Sequence, residues 1–410
     1  MDAIPLGPRA NLDHYRKLAK ELRDAWKAPD EDAVRVWAKQ WLERLAMLDG
    51  APVALFRTID DAAKRVATLV HESPKPQVLL ADAQHLLARL HGFESWPRFA
   101  KHLEALQRTS TGDWQFEAAA DAVVTGDVGR LRALLANNPA LIRARSSRRH
   151  RATLLHYAAA NGIETFRQRT PANIVEVARL LLDAGAEVDA VNGHYGDGTA
   201  LGLVATSAHP RRAGLQLALL ELLVAAGARL NGAANGWQPM SAALANGCPE
   251  AAEWLAAHGA PLDVVTAAGV GRLDVLERGL AEEGVTRAQL ERAFLYACAC
   301  GRTAAAKVLL DRGVDIGARD GQTGLHLATD AAHLETVRFL LSRQAPLEVR
   351  NQYGGTVLGQ AIWSAAHNRE VDYLPVVEAL LSAGAVVGPG WSTGIEAIDG
   401  LLRNAIAKRG

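Results

Sequence analysis

The chain has little cysteine, few aromatic residues and no excess of either charge, and each shortage removes a class of protein. Its 410 residues include three cysteines, Cys248, Cys298 and Cys300. They fit neither a zinc-ligand spacing nor an even-numbered disulfide framework, so a reducing cytoplasm is the expected compartment. Basic and acidic side chains number 45 each, for a net charge of zero. That balance gives no global attraction to nucleic acid or anionic lipid, and no nucleic-acid motif is present. No stretch reaches the roughly 18 uninterrupted apolar residues of a membrane helix. Met1 to Asn11 lacks the charged-then-apolar layout of a signal peptide. Also missing are H-E-x-x-H, C-x-x-C, G-x-S-x-G and the P-loop. Gly269-Val270-Gly271 has no third glycine in dinucleotide-binding register. Neither a metal nor a cofactor is expected, and no known catalytic motif marks an enzyme.

What the sequence does have is a repeated pair of phrases. A leucine pair runs into a tight turn at Leu181-Leu182 to Gly185-Ala186, Leu222-Leu223 to Gly227-Ala228, Leu309-Leu310 to Gly313 and Leu380-Leu381 to Gly384-Ala385. Leu255 precedes Gly259-Ala260 in the same way, and Leu340-Leu341 precedes Gln344-Ala345. Each phrase reads as the end of a helix, with glycine in the left-handed position after the cap. Gln344 should carry a small strain there. A second phrase opens the units. Its clearest copies are Thr153-Leu154-Leu155-His156-Tyr157-Ala158-Ala159 and Thr323-Gly324-Leu325-His326-Leu327-Ala328, with weaker echoes at Thr199-Ala200-Leu201 and Thr356-Val357-Leu358.

These openings resemble the T-P-L-H-x-A-A phrase of ankyrin repeats, and the leucine-glycine-alanine phrases resemble their close. The likeness runs from about Asp113 to Ala385. It implies an all-α fold, an ankyrin-repeat solenoid of about eight units with capping ends, preceded by a small helical domain. The expected boundaries are residues 1–108 for the helical domain, 113–385 for the solenoid and 386–410 for a C-terminal capping helix. The pattern departs from the family in lacking proline at the second position of every opening. Ankyrin repeats run about 33 residues, and extra length falls at Glu164 to Ala172, Ser207 to Gln216 and Asn368 to Pro375. The unit from Val264 to Gly284 is short and shows no finger.

Ahead of the repeats, Leu12, Tyr15, Leu18, Ala19, Leu22 and Trp26 follow helical spacing, as do Val34, Trp37, Ala38, Trp41 and Leu45. Ser95 is a candidate cap, with Pro97 in the first turn of the next helix. The phrase from Asp82-Ala83-Gln84 through His91-Gly92-Phe93 to Ser95-Trp96 looks like a helical module found ahead of bacterial ankyrin repeats. The tryptophans here read as core.

In ankyrin proteins the hairpin fingers and first helices line the concave face, and the resemblance implies the same here. Fingers then present Asn192, His194, Tyr195 and Asp197 before Thr199, Trp237 and Gln238 in the next, and Asn351, Tyr353, Gly354 and Gly355 before Thr356. Tyr195, Trp237 and Tyr353 are candidate anchors, since aromatics concentrate at interface hot spots. Arginine is dense in the early repeats: Arg143, Arg145, Arg148, Arg149 and Arg151, then Arg167 and Arg169, then Arg211 and Arg212 beside His209. With neighbouring insertions side by side, Arg167, Arg169, His209, Arg211 and Arg212 would form a basic ledge for a carboxylate, a phosphate or an acidic peptide. His156 and His326 match the family's structural histidine, while His194, His209 and His367 stand outside it.

The expected function is therefore a recognition scaffold. It would bind a protein or peptide partner, acidic in the ledge reading, or a small anionic ligand. The alternative is an enzyme with Tyr195, Asp197 and His209 as acid–base groups in the groove.

Overall fold

The computed structural model describes residues 3–7, 10–30, 32–47, 59–72, 77–193, 198–232, 237–282, 284–388 and 390–407. Tyr195, Asp197 and His194 lie outside these described residues. The chain divides into two compact halves, Met1–Pro239 and Met240–Gly410. Each is helical. Among the described residues, extended pairing is limited to the hairpin Arg319–Asp320 with Gln322–Thr323 and a single bridge between Val191 and Thr199.

The amino half begins with five helices, Leu12–Lys27, Ala33–Ala46, Ile59–His71, Leu80–Leu90 and Trp96–Leu106. Their apolar positions recur at helical spacing, so each buries one stripe. Tyr15, Leu22, Trp41, Leu87, Phe93 and Phe99 meet in the resulting core. The Tyr15 ring packs edge-on against Phe99, with centroids 4.9 Å apart. Asn11 caps the first helix by accepting the His14 amide hydrogen at 2.8 Å. Ser95 takes the cap position of the fifth helix, but its side chain makes no capping bond. Trp37 and Trp41 are buried, and Trp26 and Trp96 pack half-buried against the same core.

Helix pairs follow. In the amino half they are Gly112–Thr125 with Val128–Asn137, Leu154–Ala158 with Ile174–Asp183, and Ala200–Ala205 with Gln216–Ala225. The carboxyl half, with its first helix starting at the boundary, contains Pro239–Ala245 with Pro249–Ala257, and Val264–Val270 with Leu273–Ala281. Then come Arg287–Ala299 with Thr303–Asp311, Gly324–Asp330 with Leu334–Ser342, and Val357–His367 with Leu374–Ser382. The helix Glu396–Ala407 packs its Ile398 and Leu402 into the core of that half.

One leucine of each closing phrase supplies the contact between neighbouring helices. Leu181, Leu255, Leu309, Leu340 and Leu380 are fully buried and Leu223 nearly so. Burying each contributes about 1.5–3 kcal/mol. The turn glycines that follow need backbone freedom rather than room. Gly185 and Gly384 have φ of +91° and +96°, yet a Cβ at either would meet nothing within 4 Å. At the corresponding site Gln344 adopts φ of +62°, so a side chain is accommodated at the cost of left-handed strain.

Candidate recognition groove

In the carboxyl half, the sequence Asn351-Gln352-Tyr353-Gly354-Gly355 folds itself into a tight finger. The Asn351 amide donates to the Gly355 carbonyl at 2.8 Å. Its side-chain Oδ1 accepts from the amides of Tyr353 and Gly355, each at 3.0 Å. Gly354 completes the turn with φ of +82°. Asparagine and glycine favour this shape because one bonds to its own turn and the other tolerates positive φ. The finger leaves Tyr353 80% exposed.

Helix Val357–His367 forms the adjoining wall. Thr356 caps it by accepting the Gly359 amide hydrogen at 3.3 Å. Trp363 is 58% exposed, and its indole stacks on His367 with centroids 4.3 Å apart. One turn earlier, buried Gln360 joins finger, helix and preceding repeat. Its Oε1 accepts from Asn351 Nδ2 at 3.0 Å, and its Nε2 donates to Asp330 Oδ1 at 2.9 Å. Ser364 Oγ donates to the same Asp330 oxygen at 2.6 Å, and the Tyr373 hydroxyl donates to the Asp330 carbonyl at 2.7 Å.

Together these residues bound a cavity of about 1000 Å³, lined by Asp330, Tyr353, Gln360, Trp363, His367 and Trp391 among others. Its lining combines a bonded polar network with exposed aromatic side chains. That combination suits recognition, because aromatic faces supply contact area while fixed polar groups set orientation.

The amino half treats its charged residues differently. Arg148, Glu117, Glu164 and Arg167 are buried together with His150 and Tyr157. Arg148 bonds Glu117 and lies 3.0 Å from Glu164. Arg167 reaches Glu117 at 2.7 Å and Asp121 at 2.7 Å. Glu164 also receives the Tyr157 hydroxyl at 3.1 Å and faces His150 Nε2 at 3.1 Å. Burial alone would raise the Glu117 carboxyl, but Arg148 and Arg167 outweigh it and hold it at about 2. Glu164 is likewise held well below the usual carboxylate range, with burial opposed by Arg148 and His150. Burial, then the neighbouring Glu164, pushes the Tyr157 hydroxyl well up.

Arg167 is therefore an internal counter-charge rather than an exposed member of a basic ledge. Its partners Glu117 and Asp121 come from the preceding repeat. Arg169 is exposed at the rim of a cavity of about 300 Å³ that also touches Glu117, Asp121, Arg148 and Arg167. Arg211 and Arg212 are exposed and His209 half-buried on the short helix Ala208–Arg212, and none of them lines that cavity. Burial, then Arg212, lowers the His209 pKa. The helix ends that lead into the two lengthened linkers are bonded to each other: Asn161 donates to Thr206 Oγ1 at 2.9 Å and Ser207 donates to the Ala160 carbonyl at 3.4 Å.

Trp237 is half-buried, because its ring is seated on Gly202. Tyr353 alone of the three aromatic candidates is placed at an open cavity; Tyr195 lies outside the described residues. Trp363, Gln360 and Asp330 carry no local sequence signal that marks them as site residues. His156 and His326 do meet their cap threonines, each with Nδ1 2.8 Å from the hydroxyl of Thr153 or Thr323. His326 Nε2 also reaches the Gly355 carbonyl of the next finger at 3.3 Å. Cys298 and Cys300 are buried, and burial pushes the Cys300 thiol up to about 12. Among the described residues no three His, Cys, Asp or Glu side chains are grouped to hold a metal ion. No helix among them is long and apolar enough to cross a membrane.

Stacked helix pairs, hairpin fingers and a threonine–histidine cap at the start of a pair define a helical repeat solenoid. Residues 294–389 match the family of ankyrin repeats in three copies, and residues 150–193 match the single ankyrin repeat. The chain is an ankyrin-repeat protein. The crystal structure of the human ASB11 ankyrin repeat domain is similar at a TM-score of 0.35 and 22% identity, over 66% of this chain and 99% of that one. No curated protein matches the chain.

Proposed function

We propose that the protein is a recognition scaffold whose carboxyl-half groove holds an extended segment of a protein partner. Ankyrin repeats generally mediate protein–protein interaction. The observation that carries this reading is that exposed Tyr353 and Trp363 line one cavity together with a bonded polar network. Among the described residues Tyr353 and Trp363 are the large aromatic side chains left exposed, and exposed aromatic side chains concentrate at interfaces. The acidic-partner reading retains Arg169, Arg211 and Arg212 as exposed cations, with Arg167 withdrawn into its ion pairs.

The test is affinity capture from a lysate on the intact chain and on a Tyr353→Ala, Trp363→Ala double variant. Partners of the groove should be recovered at least about tenfold less by the variant, the loss expected from removing two hot-spot side chains. Equal recovery of every captured protein by both chains would contradict the reading.

A further inference from the structure

The groove contains an exposed carboxylate, Asp330, without an ion-pair partner among the described residues. Asp330 Oδ1 is fixed by Gln360 and Ser364. Among the described residues no lysine, arginine or histidine forms an ion pair with it. The other charged groups on the lining are accounted for separately. Arg350 donates to the carbonyl of Gly354 in its own finger at 2.7 Å. His367 bonds the Trp363 carbonyl at 2.7 Å and lies under the Trp363 ring.

A carboxylate fixed on one oxygen, in a cavity walled by an indole and a phenol, is complementary to a planar cation. The ring faces attract positive charge, and the carboxylate accepts charge-assisted hydrogen bonds from it. A guanidinium suits both demands better than an ammonium, since it is flat and weakly hydrated.

Resting on the groove reading above, we propose that the partner's bound segment presents an arginine side chain to Asp330, between Tyr353 and Trp363. The occupant is then a basic peptide segment, opposite in charge to the one the arginine-rich stretches of the sequence suggest.

A displayed library of random nonapeptides, selected on the full-length protein, tests this. Selected peptides are then measured on four chains: unchanged, Asp330→Asn, Arg350→Gln, and the Tyr353→Ala, Trp363→Ala double variant. Asparagine keeps the oxygen that Gln360 and Ser364 need, and thermal unfolding of each variant checks that the repeats remain folded. The expected result is enrichment of arginine at one position, about tenfold weaker binding on Asp330→Asn, loss of binding on the double variant and little change on Arg350→Gln. Peptides that need Tyr353 and Trp363 but carry no basic residue and ignore Asp330→Asn would overturn the cation proposal and leave the groove reading standing. Acidic enrichment with sensitivity to Arg350→Gln would do the same. Selected peptides that bind the double variant undiminished, or no enrichment at all, would overturn both.

Discussion

The Arg148 guanidinium lies over the ring of Phe93, 5.4 Å from its centroid. This contact joins the second helix pair to the helices at the start of the chain. It is reinforced where the Arg149 amide donates to the Gly92 carbonyl at 2.9 Å and where Ser147 Oγ lies 2.9 Å from His102 Nδ1. The same Arg148 neutralises Glu117 and Glu164 from the other side. Replacing it with alanine takes one cation from two buried carboxylates and leaves Arg167 as the remaining guanidinium beside them. We expect Arg148→Ala to cost about 3–5 kcal/mol in chemical unfolding, the usual penalty for breaking a buried ion pair. Amide exchange should accelerate across residues 93–103 as well as around 117. A cost below about 1 kcal/mol, or faster exchange confined to the repeats, would contradict this coupling.

Stability should fall on acidification in two stages. Burial pushes His91 down to about 3, and burial, then Arg145, pushes His156 down to about 4. In the unfolded chain both titrate near about 6.5. Between those values the unfolded chain takes up protons that the folded chain refuses, so stability is lost as pH falls, at up to about 1.4 kcal/mol per pH unit for each group. Glu117 acts in a lower window. Its folded value of about 2 lies below the unfolded value, so its contribution is complete above about 4.3 and disappears as pH falls toward 2. Unfolding midpoints from about pH 7 down to about 2 read both stages. His91→Gln should flatten the upper one, and a midpoint constant from about pH 6.5 to 4.5 would contradict the assignment.

Glycine replaces the family histidine at two openings; at Gly202 the Trp237 ring fills the side-chain space, and at Gly359 the Trp391 ring lies in ordinary contact beside it. A Cβ on Gly202 would lie 1.8 Å from Trp237 Cζ3, and one on Gly359 would lie 3.5 Å from the Trp391 ring. Gly202→Ala should therefore destabilise the amino half by about 1–3 kcal/mol, as overpacking does. Trp237→Ala should make the alanine at 202 nearly neutral. Additive costs in that double-mutant cycle would show that ring and glycine are not a unit.

Gln344 offers a gain. Its φ of +62° serves a turn that glycine makes elsewhere at no steric cost. Gln344→Gly should stabilise the carboxyl half by about 0.5–1 kcal/mol after the extra freedom of the unfolded glycine is offset. Destabilisation instead would mean that the glutamine side chain makes a contact outweighing the strain.

The repeats were legible in the sequence because their signals are local. Leu181-Leu182 and Gly185 stand within one turn of each other, and each copy of the phrase reports the same burial and the same cap. Thr153 and His156 gave the opening for the same reason. The charged residues were read less well because charge compensation is not local. Arg167 finds Glu117 and Asp121 one repeat earlier, and no window around the arginine contains them. Trp237 reads as an exposed finger residue until Gly202 is placed beneath it. Trp363 carries no such mark, because on a helix between Ile362 and Ser364 an indole is indistinguishable from core by type. A usable signal was there: Gly202 and Gly359 stand where His156 and His326 stand in other copies, which marks openings whose faces are rebuilt by a neighbouring ring.

Partner binding in the carboxyl-half groove has a direct readout. Hydrogen–deuterium exchange on the full chain, with and without a saturating library-selected peptide, tests it most directly. Protection should concentrate on the finger at 350–355 and on helix Val357–His367, with little change at 198–225. Protection falling on the amino half, with the finger around Tyr353 exchanging as fast as before, would contradict it.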